Sequence, residues 1–152
     1  VDKAIKACRI AGVPLRIAGD GPERDRLHSL AGPEVEFMGS CSDDEILELY
    51  RGAQALILPG EEDFGIAPVE ALACGRPVIG LSRGGVTETV SDGETGILVN
   101  EPTAEAFAEG IVRITENSFE PDYLRAHSLQ FSLTRFHDTM RTKIETAILQ
   151  PR

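Results

Sequence analysis

The sequence has little of the chemistry that metal sites, membrane spans and nucleic-acid surfaces require. Its three cysteines, Cys8, Cys41 and Cys74, lie far apart and form no C-x-x-C pair, which argues against a metal site. No apolar run reaches the roughly eighteen residues of a transmembrane helix. Basic residues number 15 against 25 acidic ones, and the net charge of −10 offers no basic footprint for nucleic acid or for an anionic membrane.

The cysteines and the first residues also bear on the compartment. An odd number of scattered cysteines fits a reducing cytoplasm, where we interpret them as small apolar fillers. The chain opens in an amphipathic helical pattern from Val1 to Ile5, without a signal peptide. It begins without methionine and without a leading strand. We therefore expect it to start inside a larger protein and to be cytoplasmic.

Alternating strand and helix patterns predict an α/β domain. Short apolar runs that end in turn residues predict strands, and helical spacing or capping sequences mark the segments between them. Strands separated by helices form a parallel sheet with right-handed crossovers. Residues 55–58 are apolar throughout, which favours a central strand covered on both faces. The predicted strands are 15–18, 35–38, 55–58, 77–81 and 96–99.

We predict one doubly wound, Rossmann-like domain over residues 1–152, with helices at its C-terminal end. Apolar residues in the tail are spaced to bury one side of a helix, either in the core or against another domain. In doubly wound sheets the ligand lies beyond the C-terminal ends of the strands, so the loops to watch are 19–22, 39–42, 59–67 and 81–85. The tail residues are Phe131, Phe136, Met140, Ile144 and Ile148.

The segment from Glu62 to Glu70 holds the most informative pattern, because it spans a predicted loop-to-helix junction. Pro68 suits the first helical position. Ala67 then becomes the N-cap, and alanine is among the poorest caps. The N–H groups at the helix start are left without a side-chain acceptor, next to Gly65, where another molecule can approach the backbone. Such a positive helix end favours a phosphate group.

Two carboxylates flank this predicted phosphate seat. Glu62 and Glu70 can each accept charge-assisted hydrogen bonds from sugar hydroxyls. Their placement suits a ligand with sugar, diphosphate and sugar in order, such as a nucleotide-sugar. A simpler interpretation is also open, in which Glu70 complements the helix dipole and residues 61–63 form a solvated acidic run.

The two glutamates also resemble a known motif, the E-x7-E motif of retaining GT-B glycosyltransferases of the group 1, or family 4, type. Further segments match that family in order and spacing over about residues 1–115. The local sequences DFGIAPVE and RGG are most similar to those of mannosyltransferase-like members. The matching segments are GDGP at 19–22, VEFMG at 35–39, SDDE at 42–45, FGIAPVEA at 64–71, GRPVI at 75–79, GGVTE at 84–88 and DGETG at 92–96.

The resemblance implies the C-terminal, donor-binding half of a GT-B enzyme. Glu62 would be catalytic, contacting hydroxyls of the donor sugar and stabilising positive charge at the anomeric carbon. Glu70 would hold the ribose hydroxyls. The other donor-binding residues would be Phe64, Gly65, Ile66 and Ala67 around the sugar and diphosphate, Met38 and Gly39 at the base, and Gly19.

The resemblance also implies the reaction and its requirements. Transfer would retain the anomeric configuration and need no metal or other cofactor, because cationic side chains and the helix end would neutralise the leaving diphosphate. GDP-mannose is the first donor candidate and a UDP-sugar the second; the acceptor is unknown.

Some parts of the family pattern are missing from this chain. They are the N-terminal acceptor domain and the first strand, with its Gly-Arg motif and the lysine that follows. We therefore expect the isolated chain to be inactive and to bind donor weakly, and we assign any peripheral association with the inner face of the membrane to the missing half.

Three other functions remain open. A GT-B-type epimerase would turn over UDP-sugar without an acceptor, a non-catalytic module would bind nucleotide-sugar only, and a structural domain would show no nucleotide effect. A nicotinamide fingerprint at Gly19 and Gly21 fails because Arg24 occupies the third glycine position. The Gly84-Gly85 pair with Glu88 is either ligand-facing or a tight turn in which Glu88 bonds the backbone.

Overall fold

The computed structural model describes residues 1–149, in which five short strands alternate with helices. This order confirms the predicted α/β class. The elements are α1 (Asp2–Ala11), β1 (Leu15–Ala18), α2 (Arg24–Leu30), β2 (Val35–Gly39), α3 (Asp43–Gly52), β3 (Leu56–Leu58), α4 (Ile66–Ala73), β4 (Val78–Leu81), α5 (Val86–Thr89), β5 (Gly96–Val99), α6 (Ala104–Glu116), α7 (Pro121–Ser128), a 3-10 helix (Leu129–Phe131) and α8 (Leu133–Leu149).

All the strand pairs are parallel, but they form two separate sheets. β1 pairs with β2, and β3, β4 and β5 pair in that order. Within residues 1–149 no ladder joins β1 to β3. The prediction of a central strand at 55–58 is therefore wrong for the described residues, because β3 lies at an edge. Its three residues are half-buried, whereas β4, which has a neighbour on each side, is buried throughout.

Both sheets nevertheless share one hydrophobic core. Leu15 of β1 belongs to the same buried cluster as Ile79 of β4 and Ile97 of β5. α1 and α6 pack against each other over this face and contribute Ile5 and Phe107, which are fully buried. Burying a side chain of this size contributes about 1.5–3 kcal/mol relative to leaving it exposed. This helical layer therefore joins the two sheets into one body.

A second buried cluster covers the other face of the strands. Leu56 packs against it while its neighbour Ile57 packs against the first cluster, because successive side chains of a strand point to opposite faces. α4, α5 and α7 supply this layer, with Leu72, Val86 and Leu124. Helices on both faces confirm the predicted doubly wound arrangement.

Two helix ends follow directly from local sequence signals. α1 stops at Gly12, which adopts the left-handed conformation with φ 68°. α3 begins with a capping box, in which the Ser42 hydroxyl accepts from the Glu45 N–H and the Glu45 carboxylate accepts from the Ser42 N–H at 2.7 Å. These signals act over three or four residues, which is why the sequence shows them.

The C-terminal helix α8 buries none of its described residues. Phe136, Met140 and Ile144 are 58%, 40% and 51% exposed, so the expectation that this stripe joins the core is wrong. Nothing within residues 1–149 covers that side, and its alternative role as a docking face stays a prediction. None of the helices in the described part of the chain has the length and hydropathy needed to span a bilayer.

The cysteines are unpaired thiols, and one of them is part of the core. Cys8 is buried beneath α6, and burial, together with the nearby charge of Glu34, raises the pKa of its thiol to about 11. A thiol with such a pKa stays protonated at neutral pH and is a poor nucleophile. Cys8 is therefore the apolar filler that the sequence predicts.

Candidate functional site

The loop from β3 to α4 forms a cleft beyond the C-terminal end of β3, where ligands of doubly wound sheets bind. The cleft has a volume of ≈ 610 Å³. It brings together every predicted site residue between positions 62 and 70. The lining residues are Glu61, Glu62, Asp63, Phe64, Gly65, Ile66, Ala67 and Glu70.

Helix α4 begins earlier than the sequence predicts. Its first residue is Ile66 and its N-cap is Gly65, at φ 65° and ψ 40°, so the assignment of Ala67 as N-cap is wrong. Glycine reaches this left-handed conformation without the clash of a Cβ, and the chain therefore enters the helix two residues sooner. Pro68 is tolerated in the first turn because the N–H it lacks would be unpaired there. Glu70 consequently lies in the second turn.

The start of α4 is uncapped, as predicted. No side chain accepts a hydrogen bond from its first N–H groups, and its first turn contains no acid. The aligned peptide dipoles place partial positive charge at this end. An anion in the cleft can therefore accept hydrogen bonds from the backbone beside Gly65, which is the chemistry of a phosphate seat.

The turn after β4 holds the loop that carries Glu62. The N–H of Gly85 donates to the backbone oxygen of Glu62 at 2.6 Å, and Gly84 and Glu62 form an isolated parallel bridge. A Cβ at Gly84 would lie 2.5 Å from that same oxygen, and one at Gly85 would lie 2.6 Å from the backbone oxygen of Asp63. Both positions therefore require glycine, and the pair supports the Glu62 loop.

Thr87, not Glu88, closes this turn with its side chain. The Thr87 hydroxyl donates to the backbone oxygen of Gly84 at 2.8 Å. Glu88 is exposed, and its carboxylate bonds no backbone group in the described part of the chain. The interpretation of Glu88 as the residue that bonds the turn is therefore wrong, because the shorter threonine side chain already occupies that role.

The two glutamates of the cleft differ in their surroundings. Glu62 is exposed, and within residues 1–149 its carboxylate makes no hydrogen bond or ion pair. Glu70 is also exposed, but it accepts a hydrogen bond from the hydroxyl of Tyr50 at 3.1 Å. The sequence did not predict this contact, because Tyr50 falls among the apolar positions of α3. The residue type was the one hint that the sequence offered, because the hydroxyl of a buried tyrosine usually finds a hydrogen-bond partner.

The cleft is acidic. Glu61, Glu62, Asp63 and Glu70 line it, and no lysine or arginine among residues 1–149 does. A diphosphate placed here would gain the backbone N–H groups of the helix start but would face four carboxylates. A strong diphosphate site at this cleft therefore needs cationic side chains from elsewhere. The described residues contain no group of three or more His, Cys, Asp or Glu side chains arranged to hold a metal ion.

The remaining predicted donor residues lie at the C-terminal ends of β1 and β2. Gly19 and Gly39 line a smaller cleft of ≈ 240 Å³, and the N–H of Gly19 donates to the backbone oxygen of Gly39 at 2.7 Å. Phe37 lines this cleft too, whereas Met38, the next residue of the strand, does not, because side chains alternate across a strand. The structure thus pairs Gly19 with Gly39 but does not place them in the cleft of Glu62.

The structure is a Rossmann-like domain with an acidic cleft and an uncapped helix start beyond the C-terminal end of β3. Residues 1–128 match the model of the family described as glycosyl transferases group 1, and the chain belongs to this family. The match covers all five strands and the whole cleft.

Solved glycosyltransferases share the fold. Alr3699/HepE of Anabaena, crystallised with UDP, is similar with a TM-score of 0.80 at 23% identity, over 95% of this chain and 44% of that one. A glycosyltransferase from Rickettsia africae is similar with a TM-score of 0.81 at 21% identity, over 99% of this chain and 44% of that one. The architecture is therefore that of the GT-B glycosyltransferases.

Curated relatives of higher identity are D-inositol 3-phosphate glycosyltransferases. That of Mycolicibacterium smegmatis is 32% identical over 93% of this chain, which spans 36% of the relative. That of Acidothermus cellulolyticus is 34% identical over 72% of this chain, which spans 26% of the relative. The chain thus spans about a quarter to a third of the length of these two relatives.

Proposed function

We propose that this chain is the donor-binding half of a retaining glycosyltransferase and holds a nucleotide-sugar in the cleft between Glu62 and Glu70. One observation carries the proposal: two exposed carboxylates flank an uncapped helix N-terminus within one cleft. Sugar hydroxyls fit the carboxylates, and a diphosphate fits the helix start. A nucleotide-sugar presents these groups in the required order.

Each part of the cleft then has a role. Glu62 contacts the donor sugar and stabilises the positive charge that develops at the anomeric carbon during transfer with retention. The diphosphate lies at the start of α4, where backbone N–H groups of Gly65 and its neighbours stabilise the charge of the leaving group without a metal ion. Glu70 accepts hydrogen bonds from the ribose hydroxyls.

The rest of the enzyme supplies what the cleft lacks. Because no basic side chain of the described residues lines it, we assign the cations that bind the diphosphate to polypeptide outside residues 1–152, together with the acceptor domain. The pairing of the strands supports a further strand from the same source: β1 and β3 share one core, yet no ladder joins them within the described residues. A parallel strand between them would complete the sheet.

The donor that we propose is a UDP-sugar or GDP-mannose. The structural similarity to Alr3699/HepE, which has been crystallised with UDP and with UDP-glucose, supports the first. The likeness of residues 63–70 and 83–85 to mannosyltransferase-like sequences supports the second. We place the enzyme in the cytoplasm, without nucleic-acid partners, and assign any contact with the inner face of a membrane to the half that carries the acceptor site.

A thermal-shift titration tests this proposal. UDP, GDP, ADP, UDP-glucose and GDP-mannose are added at millimolar concentration to the full-length enzyme and to the chain of residues 1–152. A ligand at 100 times its Kd stabilises the native state by about 2.7 kcal/mol, which raises the Tm of a domain of this size by about 5–10 °C. We expect such a shift with one base in the full-length enzyme and a smaller one in the chain. No shift with any nucleotide in the full-length enzyme would refute donor binding.

A further inference from the structure

A single side chain connects α3 to the acidic cleft. Tyr50 lies in the last turn of α3, and its half-buried ring packs against the core cluster that contains Leu72 and Val86. Its hydroxyl extends to α4 and donates to Oε2 of Glu70 at 3.1 Å. Tyr50 does not itself line the cleft. Any effect of its hydroxyl on a ligand there is therefore exerted through Glu70.

This hydrogen bond restricts a side chain that would otherwise be mobile. Glu70 is exposed on α4, and a glutamate on a surface samples many rotamers that it must give up when it binds a ligand. The tyrosine ring is fixed by the core, so its hydroxyl is a fixed donor. With one lone pair of Oε2 engaged by Tyr50, Oε1 is the oxygen with both lone pairs available, within the described residues, for hydrogen bonds from a ligand in the cleft.

Tyr50 remains a donor at every physiological pH. Burial of the phenol raises its pKa well above the ordinary value, and the nearby charge and hydrogen bond of Glu70 raise it further. The charges of Cys74 and Glu62 act in the same direction. The hydroxyl thus keeps its proton, and the polarity of the bond is constant: the phenol donates and the carboxylate accepts.

We propose that Tyr50 is a positioning residue for donor binding, whose hydroxyl orients the Glu70 carboxylate so that Oε1 receives the ribose hydroxyls of the nucleotide. This inference rests on the proposed function and adds a residue to it. A purely structural role, in which the bond only ties α3 to α4, predicts the same geometry. The two differ in one respect: a structural tie has no reason to depend on the ribose hydroxyls.

Tyr50→Phe in the full-length enzyme separates the two roles, because phenylalanine keeps the packed ring and removes only the hydroxyl. Isothermal titration measures the binding of UDP and GDP, each beside its 2′,3′-dideoxy form. We expect about a 2- to 10-fold weaker affinity for the nucleotide that the wild type binds, the range of one net hydrogen bond, and no change for its dideoxy form. The KM for donor should rise while kcat stays near the wild-type value.

Two further variants complete the design. In a Glu70→Ala background, Tyr50→Phe should cause no additional loss, because the carboxylate that it orients is gone. Tyr123→Phe is the matched control: its hydroxyl also donates to a glutamate, Oε2 of Glu94, at 3.1 Å, and neither residue lines the cleft. This variant should bind both forms of the nucleotide as the wild type does.

Each contrary outcome has a distinct meaning. Three outcomes would overturn the positioning role: wild-type affinity in Tyr50→Phe, an equal loss of affinity for ribose and dideoxyribose nucleotides, or a further loss of affinity in the Glu70→Ala background. Each of them would leave the proposed donor site intact. A wild-type enzyme that binds neither UDP nor GDP would overturn the donor site and the role of Tyr50 together.

Discussion

Glu62 is held in the cleft by its backbone, while its side chain is left open to a ligand. Gly85 donates to its carbonyl oxygen, and the carboxylate makes no hydrogen bond or ion pair within residues 1–149. Loop geometry and carboxylate chemistry are therefore separable at this residue. A change of the side chain tests the chemistry, and a change of the supporting glycines tests the geometry.

Glu62→Gln should abolish most of the transfer activity of the full-length enzyme and leave its Tm nearly unchanged. The amide has no charge with which to stabilise the anomeric centre, and a loss of about 3 kcal/mol of such stabilisation corresponds to roughly a 100-fold lower kcat. An exposed side chain without partners contributes little to folding. Glu61→Gln, which alters an adjacent acid of the same cleft, is the control and should remain active. Wild-type turnover in Glu62→Gln would exclude the catalytic role.

Gly85→Ala should lower stability and nucleotide affinity together. The added Cβ would meet the backbone oxygen of Asp63 at 2.6 Å, and the loop must move to relieve this overlap. Overpacking of this kind costs about 1–3 kcal/mol. Gly60→Ala is the matched control in the segment between β3 and α4, since a Cβ at Gly60 meets nothing within 4 Å. Equal Tm and nucleotide affinity for the two variants would contradict the supporting role of Gly85.

At the scale of elements, α3 and α4 begin in opposite ways. The N-terminus of α3 is closed by the capping box of Ser42 and Glu45 and carries acids in its first turn. The N-terminus of α4 has neither a side-chain cap nor an acid in that turn. The first arrangement stabilises a helix, and the second leaves backbone donors for a ligand. This contrast supports the proposed phosphate site at the start of α4.

The capping box predicts a pH-dependent contribution from Glu45. Hydrogen bonds from the Ser42 N–H and hydroxyl lower the pKa of Glu45 below its ordinary value of 4.5. A carboxyl with a depressed folded-state pKa stabilises the protein above its unfolded-state pKa, and this contribution is lost as pH falls through the folded-state value. Glu45→Gln should therefore have a lower Tm than the wild type at pH 7, and the gap should shrink as pH falls below about 4.5.

Glu48→Gln, one turn further along α3, is the control for this measurement. It removes the same charge without touching the cap, since Glu48 pairs only with the exposed Arg51. Surface pairs of this kind contribute little, and we expect a small gap at both pH values. A gap for Glu45→Gln that stays constant between pH 7 and pH 3 would refute the contribution of its ionised carboxylate.

At the scale of the whole molecule, three features of the described residues are incomplete. Within residues 1–149 the cleft has no basic lining residue, β1 and β3 share a core without a ladder between them, and the apolar side of α8 lies exposed. An exposed apolar stripe of this length is unusual for an isolated domain and is typical of a surface covered in the assembled protein. We propose that polypeptide outside residues 1–152 supplies the strand and the basic residues, and that the acceptor domain covers the apolar side of α8.

The proposed division of labour predicts that transfer does not depend on a divalent cation. The helix end of α4 and cations from polypeptide outside residues 1–152 would neutralise the leaving diphosphate instead. Full-length enzyme treated with EDTA should therefore retain its initial rate of transfer, measured beside an untreated sample. A loss of activity that Mg²⁺ restores would contradict the metal-free mechanism.

Local features could be predicted from the sequence because their physical causes act over a few residues. The strands, the capping box and the stop of α1 at Gly12 depend on side-chain period, on a bond across three positions and on the freedom of glycine. The segment between Glu62 and Glu70 was also singled out, through its chemistry and its family motif, and it lines one cleft of the structure, while its role stays a prediction. The start of α4 was missed by two residues, since Gly65 turns the chain earlier than the proline signal indicates.

Only the tertiary structure decided how distant segments support that site. The bond from Tyr50 to Glu70 joins residues 20 positions apart, and the turn at Gly84 approaches the Glu62 loop from another strand. The edge position of β3 depends on a strand neighbour, not on its own composition. Contacts of this kind arise when separate elements pack on one core, so no local pattern records them. The sequence by itself thus determined which residues form the cleft, and the packing of the elements determined what holds them in place.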